Sequence, residues 1–394
     1  MHLVEQYALS CGAKIDKPYI YEKFAPLPFN KYITFSPYSK PSKNYDYWRE
    51  VLFMLLNDFK KMGVNIVQLG IEDEKPIEGC YDMRGKLDIN QTAYIIKRGL
   101  LHLGADSFPT HIASAFDKKI VSLYSNSPIQ NCGPFFSNKE NVSAISSIKG
   151  DEKHSFALEE TPKTINTINP EKIACEVFRL LGVGTKIKNK TVRIGPKWIH
   201  EFVEVVPSSV TNFSKKVPAD RHVVRMDYHY NVDIMKEQLK VNEGLIVTNK
   251  PIPLKDIAEV KGRISQIIYL VSDASYDKNF SRDLDKNNIP NSVFSKLEGE
   301  GLKQLKFDLL DLDKKIQIID KKDKKLLPNY KELDFSKLKF RSRKFILEGE
   351  TIYPGKAAYF NKVSIPSFFA KPIPIIDSPD FWEEMDFFWI TESI

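Results

Sequence analysis

Twice along this chain, short runs of β-branched and aromatic residues alternate with longer stretches of helical periodicity. In the first half the strand-like runs are KYITFSPY, VNIVQLG, a short run around Tyr81, LHLGAD and KKIVSLYS. Between them YDYWREVLFMLLNDFKKMG, INQTAYIIKRGL and THIASAF place apolar residues at helical spacing, the first closing on Gly63. The second half repeats the pattern. FVEVVPSS, HVVRMDYHY, GLIVTN, SQIIYLVSD, NSVFSKL and KIQIID alternate with VDIMKEQLK, PLKDIAEVKGR, a polar helix and GLKQLKFDLLDL. Strands separated by helices of ten or more residues imply parallel sheets covered on both faces. The predicted fold class is therefore α/β, with two Rossmann-like, doubly wound domains.

A chain of 394 residues fits two such domains. The alternation weakens between Ser137 and Val192, where the helix PEKIACEVFRLLGVG ends on glycines suited to a left-handed cap. The predicted domains are 1–185 and 186–330, with 331–394 as an extension, rich in Phe, Pro and Trp, packing across both. Lys186, Lys188, Lys190 and Arg193 read as a solvated linker, and the DKKDKK run near Asp320 as an exposed loop.

Composition excludes several classes. Hydrophobic residues at 42% and charged residues at 28% are globular values, not those of a disordered chain. No run of about 18 apolar residues occurs, and the start lacks a basic region followed by an apolar stretch, so the expected compartment is cytoplasmic. Cys11, Cys80, Cys132 and Cys175 lie far apart with no CxxC pair and read as reduced thiols. A net charge of +7 favours an anionic ligand without choosing one. No basic stripe interleaves with the aromatics, so there is no specific nucleic-acid signal. The P-loop, the GxGxxG turn after the first strand, the GxSxG elbow and the HExxH helix are all missing.

Ligands of parallel sheets bind beyond the carboxyl ends of the strands. In the first half, LHLGADSFPTHIASAF places Asp106 at a strand end, followed by a turn over Ser107, Phe108, Pro109 and Thr110 into a helix beginning near His111. Proline there fixes φ, and Ser107 is expected to cap the freed amides. Such a helix start, with unpaired N–H groups and a partial positive charge, suits a diphosphate. In the second half the corresponding strand ends are Pro207 to Ser209, Asp227 to Asn231, Thr248 to Lys250, Ser272 to Ser275 and Leu297 to Glu300.

In order and spacing, KYITFSPYSKPSKNYDYW, VNIVQLGIEDE and MRGKLDINQTAYIIKRGLLHLGADSFPTHIASAFDKKIVSLYSNSP resemble the nucleotide-binding half of the heptosyltransferase-like glycosyltransferases of family 9. The resemblance covers about residues 30 to 136. It implies a GT-B architecture, in which a sugar leaves a nucleoside diphosphate donor held between two Rossmann-like domains. By that resemblance Ser39 and Lys43 meet the donor phosphates, Glu72 or Glu74 meets the ribose, and Asp106, Ser107, Thr110 and His111 form the diphosphate turn. Two departures stand out. Phe108 and Pro109 follow Ser107 where the family commonly has glycine, and the nucleotide-like half comes first, an inverted order that implies a circular permutation or two unrelated modules.

The family's base motif is not visible in this chain. Inversion at an anomeric carbon needs a base within reach of the acceptor hydroxyl; by position the candidates are Asp227 and Asp273, each after a predicted strand, with His229 as a spare. No DxD stands at a strand end, so neither a metal nor a cofactor beyond the nucleotide-sugar donor is expected. The partners implied are a nucleotide sugar and a glycan or lipid-linked acceptor of cell-surface polysaccharide, with peripheral membrane association left open. Two alternatives keep the fold: a sugar-nucleotide epimerase or hydrolase, and a catalytically silent binding protein.

Overall fold

The computed structural model describes residues 1–184, 186–193, 202–212, 221–310, 316–319, 324–327, 330–368, 370–384 and 388–393. The chain divides into two compact units between Thr191 and Val192. After helix α1 (Leu3–Cys11), the first unit holds strands β1 (Tyr32–Ser36), β2 (Asn65–Gln68), β3 (Tyr81–Asp82), β4 (His102–Ala105), β5 (Ile120–Tyr124) and β6 (Val142–Ser146). Its further helices are α2 (Trp48–Met62), α3 (Ile89–Arg98), α4 (Phe108–Ala115), α5 (Ile129–Cys132) and α6 (Pro170–Leu181). The sheet is parallel throughout, in the order β3-β2-β1-β4-β5-β6. The order reverses between β1 and β4, so right-handed crossovers place helices on both faces. On one face α3 and α4 bury Ile95, Ile96, Ile112 and Ala113 with Tyr32, Val67 and Ile120 of the strands. On the other, Trp48 of α2 meets Phe35 edge-on, and Phe59 of α2 meets Phe178 of α6.

Local chemistry explains the helix ends. Asp88 and Gln91 form a reciprocal capping box at the start of α3, and α2 and α6 stop on Gly63 and Gly182, both at positive φ. Strand β6 escapes the sequence pattern because only Ile145 of its five residues is fully buried.

Strand β7 (Asn189–Arg193) leads into the second unit. There follow β8 (Phe202–Val205), β9 (Arg221–Arg225), α7 (Val232–Val241), β10 (Gly244–Thr248), α8 (Leu254–Val260), β11 (Ile264–Val271), α9 (Lys278–Lys286), β12 (Asn291–Ser295), α10 (Gly299–Asp308) and β13 (Ile316–Ile318). The C-terminal segment supplies β14 (Leu338–Ser342), β15 (Lys344–Glu348), β16 (Thr351–Tyr353), α11 (Lys356–Phe360), β17 (Ile373–Pro374), α12 (Pro379–Glu383) and β18 (Phe388–Ser393). The large sheet has the order β13-β12-β11-β10-β9-β8-β15-β16, and a smaller one β17-β14-β18-β7. Residues 331–394 thus build strands of both sheets.

Both halves contain the parallel α/β sheet expected of Rossmann-like domains, but they are wound differently. From β8 to β13 each strand is laid on the same side of its predecessor, without reversal. Right-handed crossovers then put all four helices on one face. That face is a single core in which Val224, Ile246, Ile267, Tyr269 and Val293 pack under Met235, Leu239, Ile257, Phe280, Leu284 and Leu305. Alternate residues of the same strands, Val223, Leu245, Val247, Ile268, Leu270 and Phe294, point the other way and border a cavity of about 1060 Å³.

Among the described residues no helix is long and apolar enough to cross a membrane, and the four cysteines are unpaired. Lys186, Lys188 and Lys190 are exposed, while the Arg193 side chain and residues 320–323 of the DKKDKK run lie outside the described set.

Candidate functional site

The point where the first sheet reverses order is built by a close approach of β1 and β4. A Cβ on Gly104 would lie 2.5 Å from both the carbonyl oxygen and Oγ of Ser36, so only glycine lets the strands meet this closely. Two residues away along β4, His102 is wholly buried, its Nδ1 3.0 Å from Thr34 Oγ1 and its Nε2 3.1 Å from Ser36 Oγ. Burial pulls its pKa down to about 3, so the imidazole is a neutral cross-strand tie.

Beyond β1 the chain turns through Pro41–Lys43. Ser42 fixes that turn: its N–H donates to Leu158 O at 3.0 Å and its hydroxyl to Ala157 O at 2.8 Å. Asn126 Nδ2 donates to both Ser42 Oγ and Ala157 O, at 2.9 and 2.8 Å. Held this way, Lys43 Nζ reaches Asp106 Oδ2 at 2.5 Å, and Ser39 Oγ donates to the Asp106 carbonyl at 3.0 Å. Asp106 is 5% exposed and Lys43 16%. On the other side of the carboxylate, His111 Nε2 lies 3.8 Å from Asp106 Oδ1. Its proton affinity is lowered, first by burial and then by the charges of His2 and Lys43, against the opposing pull of Asp106. Ser39, Lys43, Asp106 and His111 are therefore brought together.

Two of the turn residues do something else. Helix α4 begins at Phe108, not near His111, and Ser107 makes no side-chain cap. Its hydroxyl folds back to donate to Ala105 O at 3.2 Å, with Ser36 Oγ at 3.5 Å, and accepts from no helix amide. Thr110 is likewise spent: its side chain is buried and donates to Ala105 O at 3.0 Å. Both hydroxyls donate to the Ala105 carbonyl, so the cap expected of Ser107 is not made.

Glu72 and Glu74 occupy the loop after β2. Glu72 is exposed, whereas Glu74 folds over Gly70, and burial raises its carboxyl above the usual range. Arg84, which the sequence reading passed over, holds the loop. It grips Asp82 through Nε at 2.8 Å and Nη2 at 3.0 Å, and donates Nη1 to the carbonyls of Glu72 and Glu74. The bonds of the two glutamates lie on their own loop and on Arg84, apart from the Lys43 cluster.

Other residues of the site have no motif to betray them. His2 Nε2 lies 3.0 Å from Gly133 O, and its ring packs on Phe135 with centroids 4.7 Å apart. Cys132 is buried close enough to Asp106 for that charge, after burial itself, to push its thiol pKa up to about 12.

The three candidate bases of the second unit do not form one constellation. Arg225 grips both oxygens of Asp227, from Nε at 2.8 Å and Nη2 at 2.7 Å, so the carboxylate is already engaged on both sides. Asp273 is an exposed turn residue whose Oδ1 accepts from Ser275 N at 2.8 Å and from the Ser275 hydroxyl, bonds that hold its carboxyl below the usual range. His229 is exposed, its backbone N–H donating to Arg225 O at 3.3 Å. Charges that the sequence did not single out join Asp227 instead. Arg225 pairs with Glu204, Lys344 bridges Glu204 at 2.7 Å and Glu384 at 2.9 Å, and Lys356 reaches Glu383 at 2.9 Å.

A lysine and a histidine gather on a buried carboxylate at a sheet's reversal point, beside a helix start, which is the position where parallel sheets take their ligands. Residues 6–160 match the model of glycosyltransferase family 9 (heptosyltransferase). The match covers less than half of the chain and falls within the first unit, which is thus heptosyltransferase-like and contains the Lys43 cluster. Among solved structures, a family 9 glycosyltransferase from Veillonella parvula is 21% identical, covering 39% of this chain and 46% of its own, with a TM-score of 0.33. The ADP-heptose LPS heptosyltransferase II of E. coli is 18% identical, covering 45% and 50%, with a TM-score of 0.31. The glycosyltransferase TibC of enterotoxigenic E. coli is 13% identical, covering 43% and 50%, with a TM-score of 0.33. The chain spans about half the length of each of these structures. No curated relative matches the sequence.

Proposed function

We propose that this protein is a glycosyltransferase that binds a nucleoside diphosphate sugar at the β1–β4 reversal of its first unit and transfers the sugar to a glycan or lipid-linked acceptor. In this reading residues 1–185 form the donor domain, 186–330 the acceptor domain and 331–394 an extension. The supporting observation is the Lys43–Asp106–His111 cluster with Ser39 beside it. As the glycosidic C–O bond breaks, negative charge gathers on the departing diphosphate. Lys43, the His111 ring N–H and the start of α4 are the groups that stabilise it, and Asp106 keeps the lysine aimed while the phosphate is absent. With the leaving group neutralised by a lysine and amide dipoles, the reaction is proposed to need no divalent ion. Glu72, the exposed acid of the loop after β2, is the better placed of the two to meet a ribose.

Transfer is proposed to invert the anomeric centre, with the acceptor hydroxyl deprotonated by a base of the second unit. Asp227 is committed to Arg225, so the role passes to Asp273, whose bonds use Oδ1 only, or to His229. The proposed setting is cytoplasmic, at a membrane surface where polysaccharide is assembled.

A thermal-shift titration tests the donor site. ADP, GDP and UDP at millimolar concentration are presented to the wild type and to Lys43→Met, with and without a chelator. At least one nucleotide is expected to raise the melting temperature of the wild type but not of the variant, with no effect of the chelator. No shift with any of them sinks the proposal. Phe108, half-exposed on the first helical turn, and Pro109, which has no N–H to offer, favour a second reading as a silent binder. Nucleotide binding without turnover of any donor would select that one.

A further inference from the structure

We infer that the face of the second unit's sheet opposite α7–α10 is a binding trough for an elongated amphiphile with an anionic head. The cavity there, about 1060 Å³, is of small-ligand scale rather than the scale of a protein interface. Its floor is apolar and continuous across four parallel strands: Val223 of β9, Leu245 and Val247 of β10, Ile268 and Leu270 of β11, and Phe294 of β12. Parallel sheets are ordinarily covered on both faces, so a face of this composition is costly to leave to water.

The polar groups are confined to the ends. At the carboxyl end runs an alternating chain of charges, Asp227–Arg225–Glu204–Lys344–Glu384, whose members are all nearly buried and mutually paired. It continues beside the trough through Lys356 and Glu383 to Lys296. Lys296 is the loose end: it is 32% exposed, and its ammonium lies 3.4 Å from a Glu383 oxygen that Lys356 already holds at 2.9 Å. An anionic head placed there gains a lysine at little cost to the network. At the opposite end the lining is polar as well, with His222, Glu243, Arg263 and Gln266, and there Asn242 Oδ1 is shielded from water without a donor among the described residues. A hydroxyl at the far end of the ligand would supply one. A chain of hydrocarbon length on the strands, with a phosphate or carboxylate at Lys296, matches the trough in shape, polarity and charge.

All lining residues belong to the second unit, so the assignment does not depend on the donor site. Only the further step, that the amphiphile is the lipid-linked acceptor, rests on the glycosyltransferase reading. Amphiphile binding with no sugar transfer would leave the trough intact and remove that reading.

The test is calorimetric titration of the full chain, without nucleotide, with dodecyl phosphate below its micelle concentration, and with dodecanol and inorganic phosphate as controls. Saturable one-to-one binding of dodecyl phosphate is expected. Leu245→Trp, which fills the floor, should abolish it, and Lys296→Gln on the rim should weaken dodecyl phosphate about tenfold while leaving dodecanol unchanged. Melting curves establish that both variants fold, and the rim variant decides the matter should the floor variant not. No saturable binding to the wild type, unchanged affinity in a folded Leu245→Trp protein, an equal loss for both ligands in Lys296→Gln, or inorganic phosphate binding as tightly as its dodecyl ester would each overturn the inference.

Discussion

Lys43 and Asp106 form one ion pair but stand to lose different things. Asp106 is almost entirely shut away from water, whereas Lys43 keeps an exposed edge. Lys43→Met therefore strands a buried carboxylate and should cost about 3 kcal/mol of stability by urea denaturation. The double variant Lys43→Met/Asp106→Asn removes the stranded charge and should regain most of that stability while still failing to respond to nucleotide. Recovery of both would mean the pair is structural only. His102 makes a separate, pH-dependent contribution. Its folded pKa, near 3, lies below the value of 6.5 for an unburied histidine, so between those limits the unfolded chain binds the proton and the folded chain does not. The stability it supports is present above pH 6.5 and is lost as pH falls toward 3, at up to about 1.4 kcal/mol per pH unit. Urea midpoints at pH 6.5 and pH 5 should show a slope that His102→Gln lacks; equal slopes would place His102 outside the acid response.

At the scale of elements, the β1–β4 junction depends on one missing methyl group. Gly104→Ala would press its Cβ into the backbone and hydroxyl of Ser36, so the variant is expected to lose roughly 2 kcal/mol and to weaken nucleotide response together. Normal stability and response would show that the strands part without cost. The elements that the sequence made legible are those with strong periodicity or strong punctuation: α2 ending on Gly63, α3 opening at Asp88, and the fully buried strands β1, β4 and β5. Those that escaped it, such as β6, bury too little to show a pattern. At the site, Asp106 and His111 could be located from a strand end and a helix start, whereas Lys43 was reached only through the family resemblance. Ser107 was misread because its hydroxyl, instead of accepting from the helix amides, turns back to donate to the Ala105 carbonyl at the end of β4. Winding was illegible for a different reason. Alternating strands and helices look the same whether the strand order reverses, as at β1–β4, or proceeds one way, as from β8 to β13. Local sequence contains no record of which neighbour a strand selects.

That difference in winding divides the whole molecule into two kinds of binding surface. A sheet that reverses its order concentrates its ligand at the crevice above the strand ends, whereas one wound in a single direction gathers its crossover helices on one face. The buried core of the first unit centres on Tyr32, Val67 and Ile96, and that of the second on Ile246, Ile267 and Leu284. With separate cores, and with the separate ligands proposed for them, calorimetric unfolding should resolve two transitions that respond independently. A nucleoside diphosphate is expected to raise only the transition abolished as a responder by Lys43→Met, and dodecyl phosphate only the one desensitised by Lys296→Gln. A single transition raised by both ligands would mean that the units unfold as one. In that case thermal shifts could not assign either ligand to its unit, and the assignment would have to come from the two variants measured by direct titration.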